Sequence, residues 1–258
     1  MKPNHHLLSL LTRAQIKRLA PESILLLVTA ATEQHGPHLP FGTDMYIGEA
    51  VAKATLEHLE SDVQFVLAPV LPFGSSHHHL PYGALSIATG NYLGVMNDLL
   101  ETAITTGFRR IFIINSHGGN ADVIRLAARD IALKHPAVIG TASYWDLSRA
   151  AIEEANTVRT VQIPGHAGHI ETSIMLALQP DSVDLDSLPA SRDIAPVGER
   201  QTDSKGALIH AHDEWTRIEG YTDLPDEPSA DFGRSLLSVI GRRVAGAVSE
   251  FADISGRQ

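Results

Sequence analysis

"SILLLVTAA", residues 23–31, decides the fold class. Its centre is leucine and valine without a charge or a break. A strand with one wet face alternates apolar and polar side chains, whereas a continuous apolar run suits a strand buried on both faces of a parallel sheet. "RRIFIINS" (109–116) is the clearest second case, and "VQFVLAPVLPFG" (63–74) and "AVIGTASYWDL" (137–147) read as two further strands. Helical periodicity fills the intervals: "MYIGEAVAKATLEHLE" (45–60), "YLGVMNDLLETAITTGF" (92–108), "ADVIRLAARDIALKH" (121–135) and "IETSIMLALQP" (170–180). "FGRSLLSVIGRRVAGAVSEFA" (232–252) closes the chain as a helix. This alternation predicts an α/β fold, with helices on both faces of a mostly parallel central sheet.

Residues 1–258 read as a single domain. Asn120 is placed to cap the helix at 121–135. The opening "MKPNHHLLSLLTRAQIKRLA" reads as an amphipathic helix. Residues 181–231, rich in Asp, Ser, Pro and Gly, read as irregular connection with a hairpin around "ALIHAHDEWTRIEG" (207–220). A stretch this long inside a compact domain is usually functional or an assembly surface.

Composition excludes several functions. Lys and Arg number 20 against 30 Asp and Glu, a net charge of −10, and no basic stripe is present for phosphate binding, so no nucleic-acid partner is expected. Cysteine is absent, which removes disulfides, thiolate metal sites and a cysteine nucleophile together, and fits a reducing cytoplasm. No apolar run approaches the roughly 18 residues of a membrane span. Histidine, the commonest metal ligand, occurs 14 times.

The chemistry collects just past the apolar strands. "ATEQHGPHLPFGTD" (31–44) brings Glu33, His35 and Asp44 within twelve residues. Glu33 and His35 are two apart and share a side in extended backbone, while Gly36, Pro37 and Pro40 prevent a helix. "INSHGGNADV" places His117 after the strand at 109–116, and Gly118 and Gly119 allow close backbone approach. Ligands of parallel sheets bind beyond the carboxyl ends of strands, so two strand ends deliver Glu33, His35, Asp44 and His117 to one edge. Carboxylate and imidazole donors suit Zn, Mn or Fe. "PGHAGHIETS" (164–173) adds His166, His169 and Glu171, and "FGSSHHHLPYGALS" (73–86) adds a triple histidine of which at least two members are expected in solvent. His5, His6, His210 and His212 are not expected to be ligands.

Together "TEQHGPHLPFGTD", "NSHGGN", "HAGHIETSIMLAL" and "GSSHHHLPYGALS" resemble the creatininase (creatinine amidohydrolase) family, over roughly residues 20 to 245. The resemblance implies a three-layer α/β/α fold and one or two divalent metal ions per subunit. It maps the ligands onto Glu33, His35, Asp44 and His117, with Asp44 bridging, and gives His166 a part in proton transfer. It also implies a homo-oligomer, a hexamer. Where the family's namesake has a glutamate two residues after the matched histidine, this chain has Gly119. Glu171 is then the first candidate for the missing ligand, with a catalytic role as its alternative. A tryptophan expected four residues before His166 is Gln162, which argues against creatinine as substrate. Ser76, His78, Gly118, Gly119 and His169 are expected to contact substrate.

The expected function is hydrolysis of a non-peptide or cyclic C–N amide in a small polar molecule by a metal-activated water, with His166 protonating the leaving nitrogen. Relatives acting on a carbocyclic ring or a peptide, and a non-catalytic metal-binding protein, are the alternatives. A serine hydrolase is a further reading of "HGGN", but the chain has no G-x-S-x-G elbow.

Overall fold

The computed structural model describes residues 2, 4–60, 62–155, 162–163, 165–189 and 211–256. Among them five strands form one sheet in the order β1-β3-β2-β4-β5, parallel at every pairing: β1 (His5–Leu7), β2 (Ser23–Thr29), β3 (Gln64–Leu67), β4 (Arg110–Asn115) and β5 (Val138–Ser143). β2 is buried along its whole length, as its unbroken apolar run requires.

Successive side chains of each strand feed opposite layers. Ile24, Leu26, Val28, Phe112 and Ile114 pack into one core with α2 (Thr43–His58), α5 (Tyr144–Ala155), α6 (His169–Leu178) and α8 (Ala230–Ser255). Leu25, Leu27, Ile111 and Ile113 face the other core, against α3 (Thr89–Thr106) and α4 (Ala121–Lys134). Each fully buried side chain of this size contributes roughly 1.5–3 kcal/mol, so the β2–β4 pair is the rigid centre from which the loops depart. The three layers are those expected. No helix among the described residues is long and apolar enough to cross a membrane.

Several boundaries differ from expectation. The strand predicted over 63–74 stops at Leu67, because Pro69 and Pro72 cannot donate to a ladder; only Leu71 returns to bridge Thr29. The strand predicted to reach 147 gives way at Tyr144 to α5, a helix that the short apolar stretch concealed. The N-terminal segment is not one helix. His5–Leu7 adds an edge strand to β3, and α1 (Arg13–Leu19) begins only after a Thr12–Gln15 capping box. Asn120 does not cap α4; its side chain accepts from Ser75 N and donates to the Ala30 carbonyl, tying two loops together. Of the hairpin expected over 207–220, residues 207–210 lie outside the described residues, and the rest holds a one-turn helix, α7 (Glu214–Arg217).

α8 reaches its neighbours through glycines. A Cβ on Gly233 would lie 1.9 Å from the Ser173 carbonyl oxygen of α6, and one on Gly241 would lie 2.7 Å from Ala54 of α2. Exposed Gly246 of the same helix has nothing within 4 Å. Gly233→Ala is therefore expected to cost about 1–3 kcal/mol by forcing two backbones apart. Gly246→Ala should gain about 0.5–1 kcal/mol from the lost flexibility of the unfolded chain. Paired denaturant titrations check this, and equal shifts in the two variants would contradict the close α6–α8 contact.

Candidate functional site

Loops leaving β2 and β4 build the site. Beyond β2 the chain is pinned from both sides: Glu33 N donates to the Phe41 carbonyl and Gln34 N to that of Gly83. Gly36 turns the chain at a φ of 65°. The chain then re-enters at α2 with Asp44 in its first turn. Beyond β4, the Asn115 side chain brackets His117 by donating to its carbonyl and accepting from its N–H.

The five residues expected as metal ligands, Glu33, His35, Asp44, His117 and Glu171, meet here, all buried. His35 Nε2 lies 3.2 Å from Asp44 Oδ1 and 3.9 Å from Glu171 Oε1. His117 Nδ1 lies 3.1 Å from Glu33 Oε1 and 3.2 Å from Asp44 Oδ2. Asp44 thus divides its two oxygens between two groups of donors. Donor atoms of His35, Asp44 and Glu171 converge within 4.8 Å, as do those of Glu33, His78 and His117, and those of Glu33, His35 and His166.

The orientation of the rings fits a cation. His35 donates Nδ1–H to the Glu33 carbonyl (3.2 Å), and His117 donates Nε2–H to that of Ser75 (3.0 Å). Each outer nitrogen is held by main chain while the inner one faces the carboxylates, the arrangement that fixes metal-ligating imidazoles. Glu33 Oε1, Glu33 Oε2 and Asp44 Oδ2 are buried without a directed hydrogen bond, despite the nearby imidazole nitrogens. Close in distance but not aligned, these lone pairs converge on a common space, as a ligand set does.

Electrostatics agree. Burial pushes the His35 ring down, but Asp44, Glu171 and Glu33 outweigh it and hold the ring at about 9. His117 is likewise raised against its burial by Glu33 and Asp44. Glu33 is pushed up by burial, yet His117 and His79 keep it well below the usual carboxylate range. Burial lifts Glu171 to about 7, with His35 opposing and Asp44 adding to the rise. Without a metal, protons on imidazoles offset the buried carboxylates.

The surroundings depart from expectation in three places. His79, from the run expected mostly in solvent, is buried with Nε2 3.3 Å from Glu33 Oε1, and His78 lines the cavity; only His77 is exposed. His169 does not line the cavity but stacks on Phe232 at 5.0 Å. Ser76 sits behind the site, its Oγ 3.3 Å from His117 Nε2. Gly118 and Gly119 line the cavity, and a Cβ at Gly119 would come within 2.1 Å of the Ser75 carbonyl, so that position is closed to a side chain without backbone movement. His6 bonds Gln64, His212 is exposed, and His5 packs edge-on to Phe65, all away from the site; His210 lies outside the described residues.

His166, as expected, and several residues not anticipated complete the surroundings. His166 donates Nε2–H to the Gln34 carbonyl (2.8 Å) and turns Nδ1 toward Glu33 Oε1, 3.8 Å away. Burial, with His35 and His79 beside it, holds His166 well below its ordinary value, hence neutral. Asp223, raised to about 6 by burial against the Thr222 hydroxyl and the backbone N–H groups of His169 and His166, supports the turn that carries His166. Ala167 in that turn has a φ of 57°, and its N–H donates to Glu171 Oε2. Trp215 packs on His79 (4.4 Å), His78 (5.0 Å) and His166 (5.5 Å). The cavity bounded by the described residues has a volume of about 950 Å³. No periodicity or motif pointed to Gln34, Asp223 or Trp215, since each gains its place only through contacts distant in sequence.

Comparison with known proteins gives a consistent picture. A family model described as Creatininase, creatinine amidohydrolase, matches residues 9–248. A mycofactocin precursor peptide peptidase of Mycobacterium ulcerans (strain Agy99) is 31% identical over 181 residues, covering 68% of this chain and 66% of that protein, just under two thirds of its length. A creatinine amidohydrolase of Pseudomonas putida is 29% identical over 259 residues and 90% of each chain. The solved structure named Creatininase Mn is similar with a TM-score of 0.78 and 26% identity, over 95% of this chain and 97% of that one.

The raised His35 value sets a pH dependence. A group held at about 9 in the fold against 6.5 when unfolded stabilises the metal-stripped chain fully below about 6.5, and that contribution is lost as pH rises through about 9. The unfolding temperature of the stripped chain should fall across this window. Added Zn²⁺ or Mn²⁺ should restore it, most strongly at the alkaline end, because the ion replaces protons. Calorimetry at several pH values checks this; a stripped chain that gains stability toward pH 9, with no response to either ion, would contradict the assignment.

Proposed function

The chain belongs to the creatininase family, and from that premise we propose that it is a metal-dependent amidohydrolase using the site beyond β2 and β4. The observation that carries this reading is the divided Asp44 carboxylate, Oδ1 toward His35 and Oδ2 toward His117. His35, Asp44 and Glu171 would hold one ion; Glu33, Asp44 and His117 would hold the other. Glu171 supplies a carboxylate that Gly119 cannot. Oxygen and imidazole donors without sulfur suit Zn, Mn or Fe.

Divalent cations there would supply Lewis acidity to the scissile carbonyl and acidify a water nucleophile. The protein's own part is proton movement and orientation. His166, neutral and with Nδ1 turned inward, accepts a proton as water attacks and returns it to the leaving nitrogen, which departs poorly as an anion. The backbone at Gly118 and Gly119, lining the cavity, offers N–H groups for the developing oxyanion. Trp215 closes the wall with an aromatic face, while Gln162 also lines the cavity.

The substrate proposed first is a small polar molecule with a non-peptide or cyclic C–N amide. A peptide bond is the second reading. A cavity of about 950 Å³ exceeds the need of a single small ring and sits at the upper end of ligand pockets, and a relative is named as a peptide peptidase. A panel of lactams, formamides, cyclic ureides and short peptides separates the two. Creatinine itself should turn over weakly, since Gln162 cannot stack on a planar ring; efficient creatinine hydrolysis would show that the pocket is misjudged.

Metal counting tests the site directly. Asp44→Ala should lose most bound metal after dialysis while far-ultraviolet circular dichroism stays unchanged. Glu171→Gln should lower occupancy from about two ions to about one. His166→Ala should keep both ions and lose roughly 10²–10⁴ in rate. Unaltered metal content in both carboxylate variants would remove the two-ion reading. Assembly as a homo-oligomer belongs to the same proposal; light scattering should report a mass well above the 27.8 kDa of one chain.

A further inference from the structure

Five imidazoles, those of His35, His78, His79, His117 and His166, surround Glu33, and three of them turn inward a ring nitrogen whose opposite N–H is donated to a main-chain carbonyl. His35 is held by Glu33 O, His117 by Ser75 O and His166 by Gln34 O. His79 differs. Its outer nitrogen, Nδ1, lies 2.7 Å from the Gln34 side-chain Nε2.

The Gln34 amide cannot be turned over. Its Oε1 accepts from Gly36 N (2.8 Å), and its Nε2 donates to the Gly220 carbonyl (2.6 Å); reversing it would set oxygen against oxygen and nitrogen against N–H. The second Nε2 hydrogen is then left for His79 Nδ1, which must be bare. A neutral imidazole with Nδ1 bare carries its proton on Nε2, the atom that faces Glu33 Oε1 at 3.3 Å. The 3.2 Å approach of Gln34 Nε2 to His166 Nε2 is a packing contact, because His166 spends that proton on the nearer carbonyl at 2.8 Å.

We propose that Gln34 is a positioning residue that sorts the imidazoles of the site: its side chain makes His79 turn an N–H toward Glu33, while its carbonyl makes His166 turn a lone pair inward. A lone pair on His79 would compete for a cation and repel Glu33; an N–H facing the carboxylate attracts it without closing a directed hydrogen bond, so both oxygens stay available. The same amide anchors Gly220, whose N–H is bonded to the Trp215 carbonyl, so the aromatic wall rests on the same residue. His79 and His166 stack at 4.2 Å, and His166 lies tilted against His35 at 4.2 Å, so the three rings form one column. The consequence for metal affinity rests on the proposed metal site; the proton positions do not.

The test is long-range ¹H–¹⁵N correlation on full-length protein with labelled histidine, metal-stripped and Zn²⁺-saturated, the signals being identified with His79→Asn and His166→Asn. Wild-type His79 and His166 should both carry the proton on Nε2. In Gln34→Glu the acceptor-only side chain should move the His79 proton to Nδ1, while His166 keeps Nε2–H. In Gln34→Met, which removes donor and acceptor together, His79 should populate both forms. Zn²⁺ affinity by chelator competition should fall roughly 10–100-fold in Gln34→Glu, the usual consequence of disturbing residues behind the ligands. A wild-type His79 protonated on Nδ1 would overturn the proposal, and so would variants whose His79 signals match the wild type. Failure of the wild type to bind Zn²⁺ would instead sink the metal reading, with the nitrogen shifts of the stripped chain still deciding this one.

Discussion

Three carboxylates, Glu33, Asp44 and Glu171, are buried together at one edge of a parallel sheet. Removing a carboxylate from water costs several kcal/mol even after relaxation, and three such groups in one constellation demand positive charge. Protons on imidazoles supply it, with His35 and His117 raised well above their ordinary range. Much of the local structure serves that demand. Rings are tethered by main-chain carbonyls, so that each inner nitrogen faces the carboxylates rather than swinging out to solvent.

Such convergence needs a rigid platform. β2 and β4 pair along six residues at the centre of the sheet, and their ends launch the loops that carry Glu33 and His117. Asn120 crosslinks the loop after β4 to Ser75 and Ala30, and the Asn115 side chain fixes His117. The third face of the site comes from α6, whose first turn carries Glu171 and whose approach is set by a glycine contact with α8. A displacement of any of these three elements would separate the donors, and their placement is a property of the packed core rather than of the loops themselves.

Within this frame Gln34 has an unexpected position. It sits between two predicted ligands and reads as a spacer, yet its side chain bonds His79 and Gly220 while its carbonyl accepts from His166. His79 likewise looks like one member of a solvated run. Its neighbour His77 is in fact exposed, and only the 3₁₀ turn over His77–His79 determines which ring goes inward.

The sequence by itself determined the parallel α/β architecture, because burial on both faces demands unbroken apolar strands, and period-2 and period-3.6 patterns are local properties. It also brought the main candidate ligands together, because Glu33, His35 and Asp44 are close in the chain and His117 follows an unmistakable strand. The edge strand at His5–Leu7 and the early end of β3 escaped it, since a three-residue strand has too few positions to show alternation and only pairing with Phe65–Leu67 stabilises it. Tertiary structure alone decided that Glu171 meets His35, that His169 packs on Phe232 instead of facing the cavity, and that Trp215 walls the site. The physical reason is the same in each case: one helix turn offers several directions, and which one faces the carboxylates is set by what packs against it from more than fifty residues away.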